Sequence, residues 1–87
     1  MSVALTIVIP VYNEEANIEL LLERLARIVP KLPSPAEVMI VDDGSEDTTV
    51  FKLIEARKQY PWLKVIELRP TRGVLADPNG VNAVVTR

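Results

Sequence analysis

The sequence contains no cysteine and no histidine, and each absence excludes a kind of site. Without cysteine there are no disulfides and no thiolate metal sites, and a reducing compartment is permitted. Without histidine, the commonest general base and metal ligand is missing. The formal net charge is -2 and no basic stripe is present, so nucleic acid is not an expected partner.

Signals for export and for membrane insertion are also missing. The N-terminus has no basic region followed by a small-residue cleavage site. No apolar run approaches the ~20 residues of a membrane-spanning helix. We therefore expect a cytoplasmic location; a longer parent protein at the cytoplasmic membrane face would carry its anchor elsewhere.

Three motifs that hold nucleotides or perform hydrolysis do not occur. There is no G-x-G-x-x-G after the first predicted strand, no G-x-x-x-x-G-K-[ST], and no serine elbow. A dehydrogenase-type dinucleotide fold and a P-loop protein are therefore disfavoured. Any nucleotide would be held by side chains rather than by a phosphate loop.

The 87 residues, 48% of them hydrophobic and 25% charged, are enough for one small globular domain. Hydrophobic periodicity predicts the order β-α-β-α-β, which implies a Rossmann-like α/β fold with a parallel sheet and right-handed crossovers. The strands are expected at 5–9, 37–41 and 63–68, and 81–86 is a candidate for a further short strand. The first helix is expected to follow residue 13 and end at 30, and the second to follow 45 or 47 and end at 61.

Local signals predict details of these elements. Leu5–Ile9 is a mostly β-branched run stopped by Pro10, which is typical of a strand buried on both faces. Asn13 is a candidate N-cap for the first helix, with Glu14 and Glu15 in its first turn. Ser45 or Asp47 is expected to cap the second helix.

Two polar clusters follow the first and second strands, where open α/β sheets bind ligands. The first cluster is residues 10–15, in which Tyr12 offers a ring face to a base. The second is Asp42-Asp43-Gly44-Ser45, in which Asp43 can accept hydrogen bonds from a base or a ribose and Gly44 allows a tight turn.

Each cluster also has a purely structural interpretation. A tyrosine such as Tyr12 is often a half-buried packing residue, and the other polar residues suit helix capping. The pair Asp42 and Asp43 is harder to explain structurally, because adjacent carboxylates repel each other and a turn needs only one of them. The pair therefore favours a functional site.

The segments Thr6-Ile7-Val8-Ile9-Pro10-Val11-Tyr12-Asn13-Glu14-Glu15 and Val41-Asp42-Asp43-Gly44-Ser45-Glu46-Asp47 together resemble the family 2 glycosyltransferases of GT-A fold. With the third strand Val65-Ile66-Glu67-Leu68-Arg69, the sequence looks most like the N-terminal part of the polyprenyl-phosphate (dolichol-phosphate) sugar transferase branch. The resemblance covers residues 5–69, and it implies that residues 1–69 form the nucleotide-binding half of the family domain, an incomplete GT-A fold.

The resemblance implies a nucleotide-sugar donor, linked to UDP or GDP, and an acceptor that in this branch is a polyprenyl phosphate. Pro10, Tyr12 and Glu14 would line the nucleotide pocket, with Tyr12 against the base. Asp43 would bond the base, and Asp42 would support its loop or the ribose. In the full-length family Mg²⁺ or Mn²⁺ bridges the diphosphate.

The family's metal-binding Asp-x-Asp and its acceptor-side base have no counterpart here. Asp77 offers a single carboxylate in Asp77-Pro78-Asn79, which is a poor metal site. No catalytic or metal residue is therefore assigned. We expect this chain to bind nucleotide weakly without catalysis.

Two alternatives remain. One is a non-catalytic nucleotide-binding module that works with another chain. The other is a receiver-type signalling domain. This alternative is disfavoured because the acidic pair of receiver domains follows the first strand, whereas Asp42 and Asp43 follow the second.

The composition changes after Arg69. Residues 70–87 are rich in proline, glycine and asparagine, where the family pattern predicts a helix. We interpret 70–87 as an atypical tail, which a shifted reading frame or a truncation would explain.

Overall fold

The structure, a computed structural model, describes residues 3–69 and 83–86. In chain order it has β1 (Leu5–Val11), α1 (Ile18–Ile28), a short 3-10 turn (Val29–Lys31), β2 (Ala36–Asp42), α2 (Thr49–Ala56), β3 (Leu63–Arg69) and β4 (Ala83–Thr86). The β-α-β-α-β order is confirmed, and β4 lies within the further short strand expected at 81–86. The division into a domain at 1–69 and an atypical tail at 70–87 stays a prediction, because most of that tail lies outside the described residues.

The strands form one parallel sheet in the order β1-β2-β3-β4. Ile7 pairs with Val38 and Val38 with Leu63; two residues further on, Ile9 pairs with Ile40 and Ile40 with Val65. These positions share one face of the sheet because side chains alternate along a strand.

Both helices cover that same face. Because consecutive strands are neighbours and parallel crossovers are right-handed, α1 and α2 lie on one side of the sheet. The core contains Ile18, Leu22 and Leu25 of α1, Leu53 of α2, and apolar residues from the strands. Periodic apolar residues in each helix thus meet alternate residues of β1, β2 and β3.

The opposite face of the sheet, here called the open face, is exposed along β1 and half-buried along β2 and β3 in the described part of the chain. Thr6, Val8 and Pro10 are exposed, and Val8 keeps 59% of its accessible surface. The prediction that β1 is buried on both faces is therefore wrong for the described residues: its apolar run faces α1 and α2 only at alternate positions.

The predicted ends of the elements also differ from those observed. Pro10 lies inside β1, which is tolerated because β1 is an edge strand of the described sheet and an edge strand need not donate from every N–H group. α1 begins at Ile18 rather than just after Asn13, and its N-cap position is Asn17. α2 begins at Thr49 with Thr48 at its N-cap, so Ser45 does not cap it.

Candidate functional site

The candidate site lies where β1 and β2 end side by side. Val11, the last residue of β1, pairs with Asp42, the last residue of β2. One residue further on, the Asp43 N–H donates to the Val11 carbonyl at 2.9 Å. Tyr12 and Asp43, the first residues after each strand, are therefore close neighbours in the fold, and both are exposed.

Tyr12 keeps 53% of its accessible surface, so about half of the residue is open to solvent. Its neighbour Asn13 has φ 49°, in the left-handed region that asparagine tolerates better than most residues. The chain therefore turns sharply directly after Tyr12. The exposed ring is held between a strand and a turn.

Asp42 is fully buried, in contrast to Asp43. It shares the helix-facing side of β2 with Val38 and Ile40. The Ser45 N–H donates to Asp42 Oδ2 at 2.9 Å, and the Ser45 hydroxyl donates to Asp42 Oδ1. Gly44, at φ 81°, makes this tight return possible because it has no Cβ. The buried carboxylate therefore stabilises the loop after β2 through its two hydrogen bonds to Ser45.

Hydrogen bonds join the loop after β1 (residues 12–17) to the loop after β2 (residues 43–48). The Asn13 N–H donates to Ser45 Oγ at 2.8 Å, and the Glu46 N–H donates to Asn13 Oδ1 at 2.8 Å. The Asn13 side chain therefore accepts a hydrogen bond from the neighbouring loop instead of from the first turn of α1. The prediction that Asn13 is the N-cap is wrong.

A second set of cross-loop contacts lies nearer the helices. The Glu15 N–H donates to Asp47 Oδ2 at 3.3 Å, while the Thr48 N–H and hydroxyl donate to Glu15 Oε1 at 2.8 and 3.0 Å. The Glu14 N–H donates to Thr49 Oγ1 at 2.8 Å. The predicted capping role of Asp47 is observed in part, because its Oδ1 accepts the Thr49 N–H at 2.9 Å.

The pKa of Asp47 is the net result of opposing effects. Burial raises the pKa, while hydrogen bonds from the Thr49 hydroxyl, the Thr49 N–H, the Glu15 N–H and its own N–H lower it. The hydrogen bonds together outweigh burial, so the pKa lies below the usual range of an aspartate. Asp47 therefore remains a hydrogen-bond acceptor for the Glu15 N–H in the loop after β1 and for Thr49 at the start of α2.

The other two expected pocket residues lie to either side of Tyr12. Pro10 is exposed and belongs to the open face of the sheet. Glu14 is half-buried on the helix side, where its Oε1 accepts a hydrogen bond from Asn17 Nδ2 at 3.0 Å. The structure thus groups Tyr12, Asp42 and Asp43 closely and sets Pro10 and Glu14 at the margins.

Sequence reasoning did not assign a role in the site to Asn13, Ser45, Asp47 or Thr49. The sequence does contain one indication of such a role: the two loops hold more residues of the types that cap helices than two helices require. Their partners are 32 to 35 residues away, except for the pairs within the second loop. Helix-capping rules consider only neighbours in sequence and cannot find such partners.

Within the described residues, no group of three or more Asp, Glu, His or Cys side chains is arranged to hold a metal ion. Both carboxylate oxygens of Asp42 already accept hydrogen bonds from Ser45. The Mg²⁺ or Mn²⁺ that the resemblance implies is thus assigned to none of the described residues. No helix among residues 3–69 and 83–86 has the length and apolar character needed to cross a bilayer.

Comparison with known proteins gives the family. The model of glycosyl transferase family 2 matches residues 6–77, which include both loops. The chain belongs to this family. The resemblance found in the sequence and the Rossmann-like fold expected from it are confirmed.

Curated relatives of this glycosyl transferase family 2 chain include polyprenyl-phosphate sugar transferases, which confirms the resemblance to that branch. An uncharacterized glycosyltransferase of Synechocystis is 40% identical over 68 residues, covering 78% of this chain and 21% of the relative. The undecaprenyl-phosphate 4-deoxy-4-formamido-L-arabinose transferase of Photorhabdus laumondii is 44% identical over 54 residues, covering 62% and 17%. The dodecaprenyl-phosphate galacturonate synthase of Rhizobium johnstonii is 37% identical over 79 residues, covering 86% and 22%. The chain spans about a fifth of the length of these relatives.

Proposed function

We propose that this chain binds the nucleotide of a nucleotide-sugar donor at the ends of β1 and β2, and that a protein containing it transfers the sugar to a polyprenyl phosphate. The observation that carries the proposal is the close placement of Tyr12 and Asp43. An exposed aromatic ring and an exposed carboxylate stand on adjacent strand ends, at the edge where open α/β sheets bind ligands.

In the proposed complex the Tyr12 ring stacks on the nucleobase, a contact worth about 1–3 kcal/mol. The Asp43 carboxylate accepts hydrogen bonds from the base, which fixes the orientation of the base in its plane. Asp42 does not reach the ligand, since it is fully buried, and acts through the loop that carries Asp43. Pro10 and Glu14 border the base site on its two sides.

The acceptor part of the proposal rests on the relatives, which are named as an undecaprenyl-phosphate sugar transferase and a dodecaprenyl-phosphate galacturonate synthase. A purified protein that contains this segment should form a bond between a phosphate oxygen of undecaprenyl phosphate and the sugar of a UDP- or GDP-linked donor, breaking the bond between the sugar and the diphosphate and releasing UDP or GDP. Transfer to water or to a soluble sugar alone would contradict the lipid acceptor.

The nucleotide site is tested by titrating the ¹⁵N-labelled chain with UDP and, separately, with GDP. We expect shifts centred on Tyr12 and Asp43 with half-saturation in the millimolar range, which corresponds to about 4 kcal/mol. Binding is weak because these residues contact the base and leave the diphosphate uncontacted. The nucleotide with the steeper response identifies the base.

Three variants complete the test. Tyr12→Ala and Asp43→Asn should each lower the initial slope of shift against nucleotide concentration about tenfold. Glu46→Gln is the matched control, because it also removes one negative charge from the exposed part of the same loop and should leave the slope unchanged. An unchanged slope in the Tyr12 and Asp43 variants would refute the assignment.

A further inference from the structure

The Ser45 hydroxyl links the buried Asp42 carboxylate to the turn after β1. It donates to the buried Asp42 Oδ1 and at the same time accepts the Asn13 N–H, whose nitrogen is 2.8 Å from Ser45 Oγ. A serine hydroxyl has one donor and two acceptor sites, so both bonds can exist together. The result is a continuous path from a fully buried carboxylate in β2 to the turn after β1.

This path ends at a backbone conformation that needs support. Asn13 has φ 49°, a region that costs energy for residues other than glycine. Two hydrogen bonds hold it there: its N–H donates to Ser45 Oγ, and its side-chain oxygen accepts the Glu46 N–H. Both partners belong to the loop that carries Asp43. The turn after Tyr12 is therefore determined by the neighbouring strand's loop.

We propose that Ser45 is a positioning residue that fixes Tyr12 beside Asp43 before the nucleotide binds. Through its hydroxyl, the buried Asp42 carboxylate holds the Asn13 amide, and the Asn13 turn sets the direction in which the chain leaves Tyr12. The inference rests on the proposed function, because Tyr12 and Asp43 are the residues assigned to the base. Ser45 itself makes no contact with the ligand.

Preorganisation of Tyr12 and Asp43 would raise the affinity for the nucleotide. If Tyr12 and Asp43 were correctly placed only part of the time, the apparent affinity would fall to that fraction of its full value. The Ser45 hydroxyl acts in a charge-assisted bond, and such bonds are stronger than those between neutral groups. A variant that keeps all the residues assigned to the ligand but lacks this hydroxyl should therefore bind the nucleotide less tightly.

The test compares Ser45→Ala with Ser45→Thr, which retains the hydroxyl, by two measurements. Without nucleotide, amide hydrogen exchange at Asn13 should become about tenfold faster in Ser45→Ala and stay within about threefold of wild type in Ser45→Thr. With UDP or GDP, the slope of the shifts at Tyr12 and Asp43 should fall about tenfold in Ser45→Ala only. Thr48→Ala is the control, because it removes a cross-loop hydroxyl that bonds Glu15 rather than Asn13.

Unchanged exchange at Asn13 in Ser45→Ala would overturn the proposal, and so would faster exchange with an unchanged nucleotide response. A wild-type chain with no nucleotide response would contradict the proposed function instead, and exchange at Asn13 would then decide alone whether Ser45 holds the turn. If Ser45→Ala does not fold, Ser45→Cys fills the position with a weaker hydrogen-bonding group and should give the same direction of both changes.

Discussion

Among single residues, Asp47 shows how one carboxylate serves two loops at once. Its oxygens accept hydrogen bonds from the Thr49 hydroxyl and N–H and from the Glu15 N–H. Although burial raises the pKa of Asp47, these bonds together lower it below its usual range. Because the pKa is lower in the folded chain than in the unfolded chain, Asp47 contributes stability above its unfolded pKa, roughly 3.9. This contribution is lost as pH falls through the folded pKa.

We expect the pKa of Asp47 to rise towards its ordinary value in Thr49→Val, because valine keeps the shape of threonine and removes the hydroxyl donor. The measurement is an NMR titration of the Asp47 carboxyl carbon in the folded chain. Thr49→Ser keeps a hydroxyl and should retain the lowered pKa, and Thr48→Val removes a hydroxyl that bonds Glu15 and should not change the pKa of Asp47. Equal Asp47 pKa values in wild type and Thr49→Val would show that the Thr49 bond has no effect on ionisation.

The residues assigned to the site could be predicted from the sequence only as members of two clusters. Tyr12 is exposed and Asp42 is buried because they belong to opposite sides of the sheet. Hydrophobic periodicity alone does not predict the side for residues at the end of a strand. The role of Asn13 was misjudged because an asparagine before a helical pattern is a normal cap. In the fold its side chain bonds the Glu46 N–H, 33 residues along the chain.

Among the elements, the start of α1 depends on α2. Lys52 of α2 donates from its Nζ to the Glu15 carbonyl at 2.8 Å and to Glu19 Oε1 at 3.2 Å. Glu15 precedes α1 and Glu19 lies in its first turn. A cation from one helix therefore holds the first turn of the other, and the start of α1 at Ile18 follows from tertiary contacts as well as from local sequence.

The two bonds of Lys52 should differ in importance. Lys52→Met keeps an unbranched stem and removes both bonds, so we expect it to lower the free energy of unfolding by about 1–1.5 kcal/mol. Glu19→Gln removes only the exposed ion pair, and such pairs contribute at most about 0.5 kcal/mol here. Urea unfolding of both variants measures the difference. Equal losses would mean that the ion pair, rather than the bond to the Glu15 carbonyl, holds the two helices.

In the whole molecule, the order of elements and the neighbouring positions of β1 and β2 were predictable. Continuous apolar runs and the breaks after them reflect local chemistry, and consecutive strands of a parallel sheet are usually neighbours. Which face of the sheet is covered was not predictable from those runs. Val8 and Val38 stand in similar β-branched segments, yet Val8 keeps 59% of its accessible surface and Val38 keeps none. The difference arises because both helices lie on the side that Val38 faces.

The two valines allow the same substitution to be compared on the two faces of one sheet. Val38→Ala removes two buried carbon atoms from between α1, β1 and β3, so the free energy of unfolding should fall by about 2 kcal/mol from lost burial and the resulting cavity. Val8→Ala removes the same atoms from the open face and should change it by less than about 0.5 kcal/mol. Urea unfolding of the 87-residue chain gives both values under the same conditions. A loss of about 2 kcal/mol for Val8→Ala would show that the open face is covered in solution, by a second copy of the chain if the loss grows with protein concentration.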